Sequence, residues 1–289
     1  MRKSAVIFTL SLIPAFAPAR ELPLPSIPDS LTTPTCRADF ILAHFWDDLQ
    51  PEELVQSPEN DTEQNFSNFI SLFPHASTSG IAAAAGNLFS LLQNEVKSLT
   101  LISEIAEKYL LDTESPFRNE QYFAILIEQF INNPVIPETL KFRPSFLLED
   151  IRKNAEGTQA NDFTYITPEG EKSSLHDTPV NGRLIVIFFD PECDDCHLVM
   201  NSLSSDDSVN KRINCGELTI LAIYAGDDME LWNKSKNTLP TNWLSGFDQG
   251  SIDNGELYNF PSTPTLFILD SQYKVLRKNA SLSDIQESE

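Results

Sequence analysis

The stretch Leu184-Ile185-Val186-Ile187-Phe188-Phe189-Asp190-Pro191-Glu192-Cys193-Asp194-Asp195-Cys196 decides how this chain is read. Six consecutive apolar residues, rich in β-branched and aromatic types, read as a strand buried on both faces. The dithiol directly after that strand falls at a strand-to-helix junction. A disulfide exchanger needs one thiolate exposed enough to attack and a second thiol close enough to resolve the mixed disulfide. Two cysteines with two residues between them, in the first turn of a helix, meet both demands. The helix N-terminus adds a partial positive charge worth roughly 0.3–1 kcal/mol, which lowers the pKa of a thiol placed there. The expected roles are Cys193 as attacking thiol and Cys196, deeper in the helix, as resolving thiol.

Thr263-Pro264 stands 71 residues beyond Cys193 and immediately ahead of the strand-like Thr265-Leu266-Phe267-Ile268-Leu269. An X-Pro bond takes the cis form at a cost of only about 0.5–1 kcal/mol. Such a turn facing Cys193 can pair with an extended peptide, which makes Thr263 and Pro264 the candidate substrate-binding residues. Around this nucleus strands and helices alternate in the α/β manner. Phe163–Thr167 and Lys172–Leu175 read as a hairpin about Pro168-Glu169-Gly170-Glu171, and a helix runs from the dithiol to about Leu203. Leu218–Tyr224 is a further strand, Asp227–Lys236 a helix, and Thr265–Leu269 with Lys274–Arg277 a terminal hairpin.

Asp162-Phe163-Thr164, Gly170, Leu175, Gly182-Arg183-Leu184-Ile185-Val186, the Cys193–Cys196 motif and Pro264-Thr265-Leu266 resemble the exported bacterial TlpA/ResA-type branch of the thioredoxin superfamily. The resemblance covers about Asp162 to the C-terminus. It implies a mixed central sheet flanked by helices, thiol-disulfide exchange with exported proteins, an upstream membrane electron donor, and a proline that keeps metal out of the site. No cofactor beyond the Cys193–Cys196 couple and no metal site are expected. Three departures stand out: Glu192 replaces the aromatic that usually precedes the first cysteine, Ile187 stands where a buried acid or amide is expected, and the chain ends soon after Ile285. The proton relay is therefore unassigned, with Asp190 and Glu192 as substitutes that read equally as surface acids.

The residues around the dithiol are candidate modulators. Asp194 and Asp195 place two negative charges between the thiols, which disfavours a Cys193 thiolate and opposes the helix dipole. Protonated His197 offsets them. The expected consequence is a reducing or isomerising protein, with a potential nearer thioredoxin's, about −270 mV, than a strong oxidant's, about −120 mV. Cys193-Asp194-Asp195-Cys196-His197 also matches the c-type haem attachment pattern, but a haem module does not need the preceding buried strand or Pro264. Copper or zinc suits two thiolates and an imidazole, yet no fourth ligand is evident. The main alternative to an exchanger is a non-catalytic binding protein whose dithiol is structural or vestigial.

From Pro34 to about Asn154 the apolar spacing is helical: Phe40, Ile41, Phe45 and Leu49, then Phe66, Phe69, Ile70 and Phe73. Further helices are expected at Ile81–Asn94, Leu99–Leu111, Arg118–Ile131 and Ser145–Asn154, with breaks at Pro74, Ser115-Pro116, Asn133-Pro134 and Arg143-Pro144. The acidic Gln56–Glu63 reads as an exposed loop. The aromatic stripes read as core and His44 as a packed or surface histidine. Tyr109-Leu110-Leu111-Asp112 and Ser115-Pro116-Phe117-Arg118-Asn119-Glu120 resemble the helical domain preceding the redox module in a group of exported, poorly characterised Gram-negative proteins. The expected organisation is a signal peptide over 1–19, a linker over 20–33, a helical domain of unassigned role over 34–154 and a thioredoxin-like domain over 155–289, with Gly157 in the boundary segment.

Arg2 and Lys3, the apolar Ala5–Ile13 and Ala17-Pro18-Ala19 form the signal pattern. Its removal leaves about 270 residues, more than one core usually organises. Export to the periplasm of a Gram-negative bacterium is the expected location, with no membrane span in the mature chain. The 42 acidic against 20 basic residues give a net charge of −22, which repels phosphate backbones and argues against a nucleic-acid partner. The four cysteines are too few for a disulfide-stapled scaffold. Cys36 and Cys215, far apart in sequence, read as inert buried thiols or one interdomain bridge, and carry no assigned function.

Overall fold

The computed structural model describes residues 21–51, 54, 59–260 and 262–287. The expected signal peptide over 1–19 and Gln56–Pro58 lie outside them. The chain divides into two compact units, Met1–Pro137 and Glu138–Glu289.

The first unit is helical. Its helices with described bounds are α1 (Pro34–His44), α2 (Glu59–Ile70), α3 (Thr78–Leu91), α4 (Val96–Leu110) and α5 (Glu120–Asn132), with a short 3-10 turn at Phe73–His75. Their starts follow from capping side chains: Thr33 accepts from Cys36 N, Ser77 from Gly80 N and Asn119 from Tyr122 N. α3 packs on α1 and α5, and α4 on α5 and α2. The aromatic stripes are core. Phe45, Phe69, Phe73 and Tyr122 form a chain of rings with successive centroids 5.3, 5.1 and 5.2 Å apart, at separations that favour edge contacts. Residues 59–63 are helix rather than loop, with Asp61 an acid near the positive end of α2. His44 is exposed, its Nδ1 2.8 Å from Asp47.

The second unit opens with α6 (Glu138–Arg152). Pro144 does not break this helix but lies buried inside it, so burial there outweighs the hydrogen bond that its missing N–H forgoes. The seven strands are β1 (Thr164–Ile166), β2 (Lys172–Ser174), β3 (Arg183–Phe189), β4 (Leu218–Tyr224), β5 (Leu244–Phe247), β6 (Thr265–Leu269) and β7 (Val275–Lys278). They form one sheet in the order β2-β1-β5-β4-β3-β6-β7. β3, β4 and β5 run parallel, whereas β6 is antiparallel to β3 and β7 to β6. The helices are α7 (Asp194–Ser205), α8 (Asp207–Asn214), α9 (Met229–Ser235), α10 (Ser251–Asn254) and α11 (Leu282–Glu287).

Alternation along β3 builds two cores. Ile185, Ile187 and Phe189 join Cys196 and Leu203 of α7, Tyr224, Trp232 and Leu266 on one face. Leu184, Val186 and Phe188 join Phe163, Leu221, Tyr258 and Phe267 on the other. This double burial explains the uninterrupted apolar run.

Candidate functional site

The register of the central strands assembles the site. Thr265 pairs with Phe188 across the β3–β6 ladder, so the residues just before β6 rise beside those just after β3. Thr263 therefore meets the start of α7, and its carbonyl lies 3.4 Å from Cys193 Sγ. The Thr263–Pro264 bond is cis. Both residues are half-buried.

The loop between β3 and α7 is closed by its own polar groups. Asp190 Oδ1 accepts from Glu192 N at 2.7 Å, and its carbonyl accepts from Cys193 N at 3.1 Å. His197 bonds through Nε2 to the carbonyl of Pro191 at 2.7 Å, so the ring donates there. Cys193 is the N-cap of α7, its sulfur accepting from Cys196 N at 3.2 Å. The apolar strand sets the height of this loop and the helix start orients the sulfur.

The two thiols are unlike. Cys193 is half-buried and Cys196 is 0% exposed. Burial alone raises the Cys193 pKa, but hydrogen bonds from the Cys196 thiol and N–H, from the Thr263 side chain and from the Asp195 N–H outweigh it, so the net shift is downward. Burial first, then the hydrogen bond and charge of Cys193, push the Cys196 thiol up to about 12. The Asp190 N–H offsets only part of that rise.

Asp194, Asp195, Glu192 and His197 are all exposed. The expected opposition of the two acids does not decide the sign at Cys193. Their carboxylates point to water, which screens them, while the Asp195 backbone N–H helps the thiolate. Ile187 is buried with Cys196 in one core cluster, so the place of a relay acid is apolar. Asp190 is half-buried and holds the loop, whereas Glu192 is a surface acid. Among the described residues no cluster of three or more His, Cys, Asp or Glu could hold a metal ion. Cys36 and Cys215 are both free and exposed rather than buried. Cys36 sits in the first turn of α1, and Cys215 closes α8 through its N–H to Lys211 O at 3.0 Å.

The sequence offered Asp190 only as a relay acid and gave Pro191 no role. Asp190 and Pro191 support the dithiol by turn geometry and by one carbonyl. Asp-Pro in a loop was their visible signal, without the partner that His197 supplies.

A parallel β3–β4–β5 core, an antiparallel β6–β7 edge, a dithiol capping the helix after β3 and an X-Pro facing it define a thioredoxin-like fold. A crystal structure of a thioredoxin-like protein from Bacteroides caccae matches with a TM-score of 0.87 and 29% identity, covering 93% of this chain and 98% of that one. Residues 3–154 match the family described as Domain of unknown function (DUF5106), and the chain belongs to that family. A C-terminal domain of an uncharacterised Bacteroides fragilis protein is 30% identical with a TM-score of 0.45, covering 47% of this chain and 97% of that one. The thioredoxin domain of a thiol-disulfide oxidoreductase from Bacteroides vulgatus is 22% identical with a TM-score of 0.41, covering 46% and 94%. No curated protein matches the chain. No helix among the described residues is long and apolar enough to cross a membrane.

Proposed function

We propose that this protein is an exported, periplasmic thiol-disulfide oxidoreductase that exchanges disulfides with other exported proteins through Cys193 and Cys196, leaning toward reduction or isomerisation. The observation that carries the reading is the asymmetry of the pair: an accessible thiol with lowered pKa caps α7, and a buried partner sits at about 12. Such a division of labour is what exchange requires and what a structural dithiol does not.

The Cys193 thiolate attacks one sulfur of a client disulfide, forming a mixed disulfide and expelling the other client sulfur as a thiolate, which takes up a proton. Cys193 then no longer carries charge or accepts as a thiolate from the Cys196 thiol. Two of the causes that hold the Cys196 thiol up are thereby removed. Cys196 loses its proton and attacks Cys193 Sγ, releasing the second client thiol and leaving the Cys193–Cys196 disulfide. The client gains two electrons and the protein loses two, which an upstream membrane donor restores. Both electrons travel on sulfur, so no resident cofactor takes part. The Thr263 carbonyl beside Cys193 Sγ and the Pro264 turn offer a backbone edge for an extended client.

The test is a glutathione titration of the mature protein, with alkylation of free thiols reporting the redox state. A single two-electron transition nearer about −270 mV than about −120 mV is expected, with Cys193→Ser folded but inert toward disulfides. A value near the latter overturns the reducing lean, and no exchange overturns the activity.

A further inference from the structure

A pocket of about 190 Å³ opens beside the dithiol, between α7 and the segment from α9 to Pro240. Its walls include Pro191, two residues before Cys193, and His197, directly after Cys196, joined by their 2.7 Å hydrogen bond. Two residues of extended chain span at most about 7 Å, so the wall lies within that backbone reach of the nucleophile. A client residue one or two positions from the reacting cysteine, at about 3.3 Å per residue, covers the same distance.

The size selects the class of occupant. Small-molecule sites usually run from about 300 to 1,000 Å³, whereas an apolar cavity of about 150 Å³ takes a benzene. The pocket fits one large side chain. Its chemistry selects further. Phe189, Met200, Leu239 and Pro240 provide apolar wall. The hydroxyls of Ser204, Ser235 and Thr238 donate to the carbonyls of Asn201, Leu231 and Ser235 at 3.1, 2.9 and 2.7 Å, so their protons are already used. Among the described residues no Asp, Glu, Lys or Arg lines the pocket, in a chain of net charge −22. A charged occupant would lose its hydration with no opposite charge to replace it.

We propose that this pocket is a specificity subsite for the exchange reaction, taking an aromatic or branched apolar side chain next to the client's reacting cysteine. The proposal rests on the oxidoreductase reading and names the class of client that the same site prefers.

The test compares two disulfide-linked peptides, one with Phe and one with Ser beside the reacting cysteine, together with the small disulfide bis(2-hydroxyethyl) disulfide, which carries no aromatic or branched apolar group for the pocket. Burying a Phe side chain corresponds to roughly a tenfold to hundredfold preference in kcat/KM for the Phe peptide. Ser204→Trp on α7 and Thr238→Trp on the opposite wall each fill the pocket. Both should bring the ratio close to one while turnover of the small disulfide stays at the wild-type rate, which also reports an intact dithiol. Equal kcat/KM for the two peptides in wild type, or a preference that survives in both filled variants, overturns the subsite alone. Failure of wild type to turn over either peptide or the small disulfide overturns the exchange activity and the subsite with it.

Discussion

At the residue scale the site depends on which hydrogen bonds reach each sulfur. The Cys193 pKa is lowered because the Cys196 thiol and N–H, the Thr263 side chain and the Asp195 N–H together outweigh its burial. Its alkylation by iodoacetamide should therefore rise with pH through a midpoint below the ordinary thiol value of about 8.5. Cys196→Ala removes the thiol donor but keeps the N–H at 3.2 Å, so its midpoint should move upward, toward the ordinary value. A midpoint unchanged in Cys196→Ala would mean that backbone groups alone stabilise the thiolate. Cys196 obeys the opposite sign. Its folded pKa of about 12 lies above that of an unfolded thiol, so its protonated form favours the fold below about pH 8.5. That contribution is lost as pH rises toward about 12. The unlike burial of the two cysteines was legible from Cys-x-x-Cys after a buried strand, but the sign of the acids' effect was not. Sequence places Asp194 and Asp195 between the thiols without saying that their carboxylates face water and one of their N–H groups faces sulfur.

At the scale of elements, legibility follows how continuous the local signal is. β3 carries six consecutive apolar residues after Arg183, β4 is broken only by Thr219 in the apolar run before its closing Tyr224, and the two pair along their whole length, so the runs alone revealed them. β5 is only Leu244-Ser245-Gly246-Phe247, too short and glycine-interrupted to show period two, yet it joins the β1–β2 hairpin to the parallel core. Its place is fixed by contacts distant in sequence, such as Ile166 opposite Phe247. α8 was hidden for another reason. Asp206 ends α7 and caps α8 in a single residue, accepting from Ser208 N and Val209 N at 2.8 and 3.2 Å, and no proline or glycine separates them. Gly182 shows the same dependence on distant partners. At φ +131°, directly before β3, it lies where an added Cβ would collide with the backbone carbonyl of Glu217, the group that accepts from Arg183 N at 3.1 Å. Gly170, at φ +89°, has nothing within 4 Å of that position. Gly170→Ala should cost about 1–2 kcal/mol for its left-handed backbone, and Gly182→Ala clearly more, because backbone and not a mobile side chain must give way. Urea midpoints of the two variants measure the difference, and equal losses would refute the collision.

At the scale of the whole molecule, the family match and the compact units divide the chain at different points. The family match ends at residue 154, whereas the units part after Pro137 and give α6 to the redox half. The polar contacts of α6 explain the second division. Lys278 Nζ donates to Ile151 O at 2.9 Å, Asn154 Nδ2 to Leu257 O at 2.8 Å, and Asn161 N to Asn154 Oδ1 at 2.7 Å. Asn154, just past the helix, is buried with φ +52°, a left-handed turn that asparagine tolerates. We therefore propose residues 138–289 as the redox module, in place of the boundary that Gly157 and the change of period suggest. At roughly 0.5–1.5 kcal/mol per hydrogen bond, a fragment starting at residue 155 should be about 2–4 kcal/mol less stable than one starting at 138. For a unit of this size that is a fall of several degrees in Tm, at about 2–4 °C per kcal/mol. Neither cut touches Cys193, Cys196, Thr263 or Pro264, so both fragments should share one glutathione midpoint while differing in melting. Equal melting temperatures would return α6 to the helical half. A shifted potential in the shorter fragment would mean that α6 also supports the dithiol loop.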